Sequence, residues 1–110
     1  MAAAGLDGTD PDLIVPGRFR FKQALDQAQI MLESSNRPTA IFAANDQMAV
    51  AAMMAAHKMG LTVPEDLSVI GFDDTPMSRL IWPTLTTVAQ PYDDIARAAV
   101  KVLQGEYEDR

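Results

Sequence analysis

Two apolar runs of strand length, each stopped by carboxylates, decide most of what this chain can fold into. The first, Pro38-Thr-Ala-Ile-Phe-Ala-Ala-Asn45-Asp46-Gln47, passes straight into an alanine- and methionine-rich stretch. The second, Leu67-Ser-Val-Ile-Gly-Phe72-Asp73-Asp74-Thr-Pro76, ends in paired acids. Short apolar runs alternating with helical stretches are the pattern of an α/β domain with a mostly parallel sheet. In such sheets ligands bind at the carboxyl ends of the strands. Two polar strand ends in one small chain therefore predict a shared ligand crevice.

The rest of the chain fits around these passages. Leu13-Ile-Val15, between Pro11 and Pro16, reads as a brief strand. From Arg18 to Ser35 the period is helical, with Phe21, Leu25, Ala28 and Leu32 on one face. Pro38 then disfavours helical geometry in the residue before it. Gln47 to Met59 reads as a helix capped at its C-terminus by Gly60. Its apolar residues run nearly all round, from Met48 to Ala55, as in a helix covered on more than one side. Pro76 and Pro83 bracket a short segment holding Leu80, Ile81 and Trp82, with Trp82 read as packing beside Pro83. Leu85 to Val88 reads as a further strand. Asp93 and Asp94 load the first turn of a last helix, where acids favour the helix dipole, and Gly105 ends it.

Composition excludes several functions. With no cysteine and a single His57, the chain holds neither a disulfide framework nor a thiolate or histidine metal site. No apolar run approaches the roughly 20 residues needed to span a membrane. The start, Met1-Ala-Ala-Ala-Gly5, lacks the basic segment and apolar core of a signal peptide, so a cytoplasmic location is predicted. A net charge of −6 argues against nucleic-acid contact within the chain, because duplex binding rests on neutralising phosphates with Lys and Arg. Arg18, Arg20 and Lys22 alternate with Phe19 and Phe21, which suits a solvated helix edge better than a DNA surface.

Three blocks carry a family likeness: Pro38 through Val50, Gly60 through Thr75, and Pro83-Thr-Leu-Thr-Thr-Val-Ala-Gln-Pro91. In this order and spacing the chain resembles the lac-repressor family of bacterial transcription regulators, over roughly residues 5 to 104. The resemblance implies a periplasmic-binding-protein-like (type I) fold: two α/β subdomains with an effector between them, behind a helix-turn-helix headpiece. On that likeness residues 1–90 are an incomplete C-terminal subdomain, and 91–110 are the crossover and a helix of the N-terminal subdomain. The headpiece, most of the N-terminal subdomain, the family's first C-terminal-subdomain strand and its tail lie outside the sequence. Ala24 and Ala96 stand where the family often has glycine.

The resemblance also sharpens the candidate residues. Asp73 matches an acid that meets the effector's hydroxyl or ring N–H groups, and an ionised carboxylate accepts several hydrogen bonds at once. Asp74 reads as a solvated or helix-capping acid. Asn45 and Asp46 precede a helix, where both types are favoured caps, but Asn45 also matches a position facing the effector cleft. Phe19 lies off the helical face of its neighbours and matches an aromatic that stacks on the ligand. Gln90 and Tyr92 flank the crossover, where the family again contributes to the cleft. Val50, Met77, Leu80 and Ile81 read as core packing from the residues and as dimer interface from the resemblance. The implied partners are a small polar effector, sugar or purine-like, and a second copy of the chain in a homodimer or higher homo-oligomer. DNA is met only through the headpiece, and neither cofactor nor catalysis is implied. Two rivals share the fold pattern: a periplasmic-type sugar-binding protein, and an Mg²⁺-dependent aspartyl-phosphate domain built on the strand-end acids. The second needs a lysine near those acids, and Lys22, Lys58 and Lys101 are all away from strand ends.

Overall fold

The computed structural model describes residues 13–106. Its elements run α1 (Phe21–Glu33), β1 (Ala40–Phe42), α2 (Asp46–Lys58), β2 (Ser68–Ile70), α3 (Met77–Leu80) and α4 (Tyr92–Leu103). The strands β1 and β2 are parallel neighbours in the register Ala40–Ser68, Ile41–Val69 and Phe42–Ile70. The α2 helix is the crossover between them.

Local sequence accounts for each boundary of α2. Asn45 is extended, and its side chain accepts the Met48 amide at 2.9 Å, satisfying an otherwise orphaned donor. At the other end Gly60 has φ +74, a conformation that costs a residue with a Cβ. The Gly60 amide then bonds the His57 carbonyl and the Leu61 amide the Ala56 carbonyl, closing the helix in a Schellman motif. Asp46 lies in the first turn and His57 and Lys58 in the last, each matching the helix dipole.

The all-round apolar character of α2 is used on two sides. Ala52, Ala55 and Ala56 join Ala28 and Leu32 of α1 and Leu67 in one buried cluster. Ala49, Val50 and Met53 join Ala43 and Leu85 in a second. Small side chains let the two helices and the sheet approach closely, so α2 is the hub of the fold.

The sequence reading and the structure part company in three places. Leu85 to Val88 is not a full strand; it is an extended segment making one parallel bridge, Ile70 to Thr86, beside β2. Leu13 is in a 3-10 conformation and Ile14 and Val15 form no ladder, because no described strand lies next to them. Trp82 is 91% exposed rather than packed beside Pro83. A cavity of about 950 Å³ lies between Leu13, Val15, α1 and the sheet, bounded by Ala28, Ile41, Phe42 and Val69. No residue of α4 is buried, although Ile95, Ala99 and Val102 line up along one side of it.

Candidate functional site

The carboxyl end of β2 turns sharply through Phe72 to Thr75. Asp73 and Asp74 both have positive φ, +117 and +55, which residues with side chains rarely adopt. The turn is held by successive backbone donors. The Asp73 amide bonds the Val88 carbonyl at 2.9 Å, and the Asp74 amide bonds Thr87 Oγ1 at 3.1 Å. The Thr75 amide reaches Asp46 Oδ2 at 2.6 Å.

Held in this way, Asp73 becomes the centre of a polar group. Its Oδ1 accepts the Gln90 side-chain amide at 2.5 Å and the Tyr92 hydroxyl at 3.1 Å. Gln90 Nε2 also lies 3.4 Å from the Tyr92 hydroxyl. Desolvation, the Asp73 hydrogen bond and the charges of Asp73 and Asp46 all push the Tyr92 phenol above its ordinary value, so it stays a neutral donor at physiological pH. No hydrogen bond reaches Asp73 Oδ2 from the described residues, and the carboxylate retains acceptor capacity for another donor. Asp74 turns away and pairs with Arg79 at 2.7 Å on the surface. It caps no helix, since the N-cap of α3 is Pro76, without a side-chain cap.

Three predicted site residues, Asp73, Gln90 and Tyr92, thus touch one another. Asn45 stands apart from that contact, half-buried, with its Oδ1 engaged in the α2 cap. Phe19 is 65% exposed on a turn whose residues Arg18 and Phe19 have φ near +55. Gly17 brings that turn against Met48 in the first turn of α2, where a Cβ on Gly17 would collide with the methionine methyl. Phe19 and Asn45 therefore sit at the same end of α2, without a recorded hydrogen bond linking them to Asp73. Among the proposed interface residues, Leu80 and Met77 are exposed, while Ile81 is half-buried against the second core cluster. Val50 belongs to that cluster and is only 7% exposed, which leaves little of it for a partner.

Asp46 is the residue whose place the sequence did not reveal. Asn45 does the capping, and Asp46 is fully buried. Its Oδ2 accepts the Thr75 amide and hydroxyl, and its Oδ1 accepts the Thr87 hydroxyl. Burial pushes this carboxyl up, but hydrogen bonds from Thr87, Thr75 and the Phe72 backbone outweigh it and hold the group below its ordinary value. Among the described residues no three His, Cys, Asp or Glu side chains gather to hold a metal ion.

The family described as "Periplasmic binding protein-like domain" matches residues 1–110. The chain belongs to that family, in its lac-repressor branch. It is 38% identical over 102 residues to the HTH-type transcriptional repressor PurR of Aliivibrio salmonicida, covering 93% of this chain and 31% of that protein. A LacI-family regulatory protein from Chloroflexus aggregans superposes with a TM-score of 0.87 at 36% identity, over 99% of this chain and 41% of the other. The transcriptional regulator CelR in complex with cellobiose gives 0.81 at 31% identity, over 98% and 34%. The chain therefore spans about a third of the length of the regulators it matches, and the periplasmic binding protein-like fold accounts for its α/β layout.

Proposed function

We propose that this chain forms one wall of the effector cleft, and part of the dimer contact, of a cytoplasmic transcription regulator. The effector is a small polar molecule, a sugar or a purine-like compound, held by hydrogen bonds without chemical change. Residues 1–90 supply the C-terminal subdomain part, and 91–110 the crossover and a helix of the second subdomain. DNA is read by a headpiece outside this sequence, and the net charge of −6 keeps DNA off this part of the protein.

The observation that supports this best is the convergence of Asp73, Gln90 and Tyr92 beyond β2. A strand end fixes the acid, a crossover residue pins one oxygen, and the other oxygen is available to a ligand hydroxyl or N–H. Phe19 and Asn45, at the adjoining end of α2, supply an apolar face and an amide for the same molecule. A phosphoacceptor reading gains no support, because Asp46 is buried and accepts three hydrogen bonds from Thr75 and Thr87, and Asp74 is paired with Arg79.

The test is calorimetry on the longer protein containing this chain. A panel of mono- and disaccharides and of purine bases, screened first by thermal shift, should give a binder. Its affinity should fall on Asp73→Asn while operator affinity in the ligand-free state is kept. A panel without any binder, or a binder indifferent to Asp73, Gln90 and Tyr92 substitutions, would reject the reading.

A further inference from the structure

We propose that Asp46 is a positioning residue for the ligand site: its buried carboxylate fixes the Phe72–Thr75 turn from behind and so sets where Asp73 points. The proposal rests on the reading of Asp73 as the ligand anchor and adds how that anchor is held.

Geometry on three sides carries it. Asp46 has no exposed surface and does not contact Asp73 by hydrogen bond, so it acts only through the turn. On one side it takes both the amide and the hydroxyl of Thr75, two residues after Asp73. On another, the Thr87 hydroxyl donates to Asp46 while accepting the Asp74 amide, so a proton-ordered chain runs from Asp74 through Thr87 to Asp46. On the third, Gly71 gives the carboxylate its space: a Cβ there would lie 2.5 Å from Asp46 Oδ1. Two consecutive side-chain-bearing residues at positive φ persist only where surrounding contacts over-determine them. Asp46 holds Thr75 directly and Asp74 only through the Thr87 hydroxyl, leaving the Asp73 amide to the Val88 carbonyl.

An acid is required for this because the three donors converge on one group. A carboxylate is an acceptor on both oxygens, whereas an amide would turn a donor toward either Thr75 or Thr87. Thr87 is held to one orientation for the same reason. Its single proton goes to Asp46, which leaves a lone pair for the Asp74 amide.

The experiment needs no ligand. In a Tyr107→Phe background Tyr92 is the only tyrosine of the chain, and its ionisation is read by absorbance. Thr87→Val keeps every charge but removes the hydroxyl. It should lower the Tyr92 midpoint, as Asp73 drifts from the phenol, and speed exchange of the Asp74 and Thr75 amides by about tenfold or more. Thr87→Ser restores the hydroxyl and should return both readouts to the parent values. Asp46→Asn should speed the Thr75 amide to a similar degree, and it serves as the deciding variant if Thr87→Val does not fold. A parent-like titration and parent-like exchange in the folded variants, or a serine as damaging as the valine, would overturn the role. The effector reading fails separately: Asp73→Asn with unchanged ligand affinity would reject it while leaving these amide and phenol results standing.

Discussion

Gly71 lies against Asp46 so closely that the glycine's missing side chain and the acid's carboxylate compete for one space. The φ of Gly71 is not in the left-handed region, so glycine is needed here for room, not for backbone freedom. Leu85 Cδ2 and Ala49 Cβ close the remaining directions, at 3.1 and 3.2 Å from a Cβ built on Gly71. Gly71→Ala should therefore destabilise the fold by about 1–3 kcal/mol, the usual cost of overfilling a packed site. Chemical denaturation of the two proteins measures the difference, and parity between them would mean that Asp46 can swing aside.

Asp46 also gives the fold an acid-sensitive point. Its folded value lies below the ordinary 3.8, so its contribution is complete above that value and is lost as pH falls through the lower one. Melting temperature followed from pH 6 to pH 2 should drop more steeply below about pH 4 in the parent than in Asp46→Asn. The asparagine variant starts from a lower plateau, and parallel curves would assign the acid loss to other carboxylates.

Asp73→Asn should weaken effector binding by about ten- to a hundredfold, since a hydrogen bond to a charged group contributes about 1.5–3 kcal/mol. Tyr92→Phe removes a neutral donor from the same oxygen and should cost less, about 0.5–1.5 kcal/mol. Calorimetry with the ligand found by screening ranks the two. A larger loss at Tyr92 would move the anchor from the acid to the phenol.

Part of this site is legible in the sequence. The strand-end position of Asp73 follows from an apolar run stopping at Phe72, and the family likeness places Gln90 and Tyr92 at the crossover, but their hydrogen bonds to Asp73 are visible only in the structure. What escaped was the division of labour between Asn45 and Asp46. Both are good caps, and local sequence offers no reason to choose. The choice is made by Thr75 and Thr87, 29 and 41 residues away, whose hydroxyls reach only Asp46. Leu85 to Val88 falls short of a strand for a related reason: β-branched residues favour extension, but a ladder also needs bridged pairs along its length, and only Thr86 forms one. Trp82 faces solvent, and an indole beside proline carries no signal for which way the pair faces.

Leu80 is 82% exposed at the end of α3, with Met77 exposed one turn before it and the Val50 and Ile81 packing beneath. Leu80→Asp should leave the stability of the chain nearly unchanged, because surface substitutions are usually within about 0.5 kcal/mol. It should nonetheless abolish dimerisation of the longer protein, where the aspartate would be buried without a partner. Sedimentation equilibrium decides, and a persistent dimer would place the interface on another surface.

The cavity beside Ile41 and Phe42 bears on the isolated 110-residue chain. Phe42 is 66% exposed, and among the described residues β1 is paired on one side only, to β2. Unpaired apolar strand edges recruit other chains. Concentration-dependent sedimentation in the micromolar range is expected, and Phe42→Lys should reduce it. A monomer at all concentrations would show that the edge is covered within the chain.

The fastening of three successive amides in the Phe72–Thr75 turn has a kinetic side. With Asp73 already set by Val88, Thr87 and Asp46, its conformational entropy is surrendered during folding rather than at the encounter with a ligand. On the proposed effector-cleft reading, the slow step of recognition then falls to the approach of the opposite wall of the cleft. A ligand meeting this wall alone should bind in a single exponential phase whose observed rate rises linearly with ligand concentration, and saturation of that rate belongs to closure.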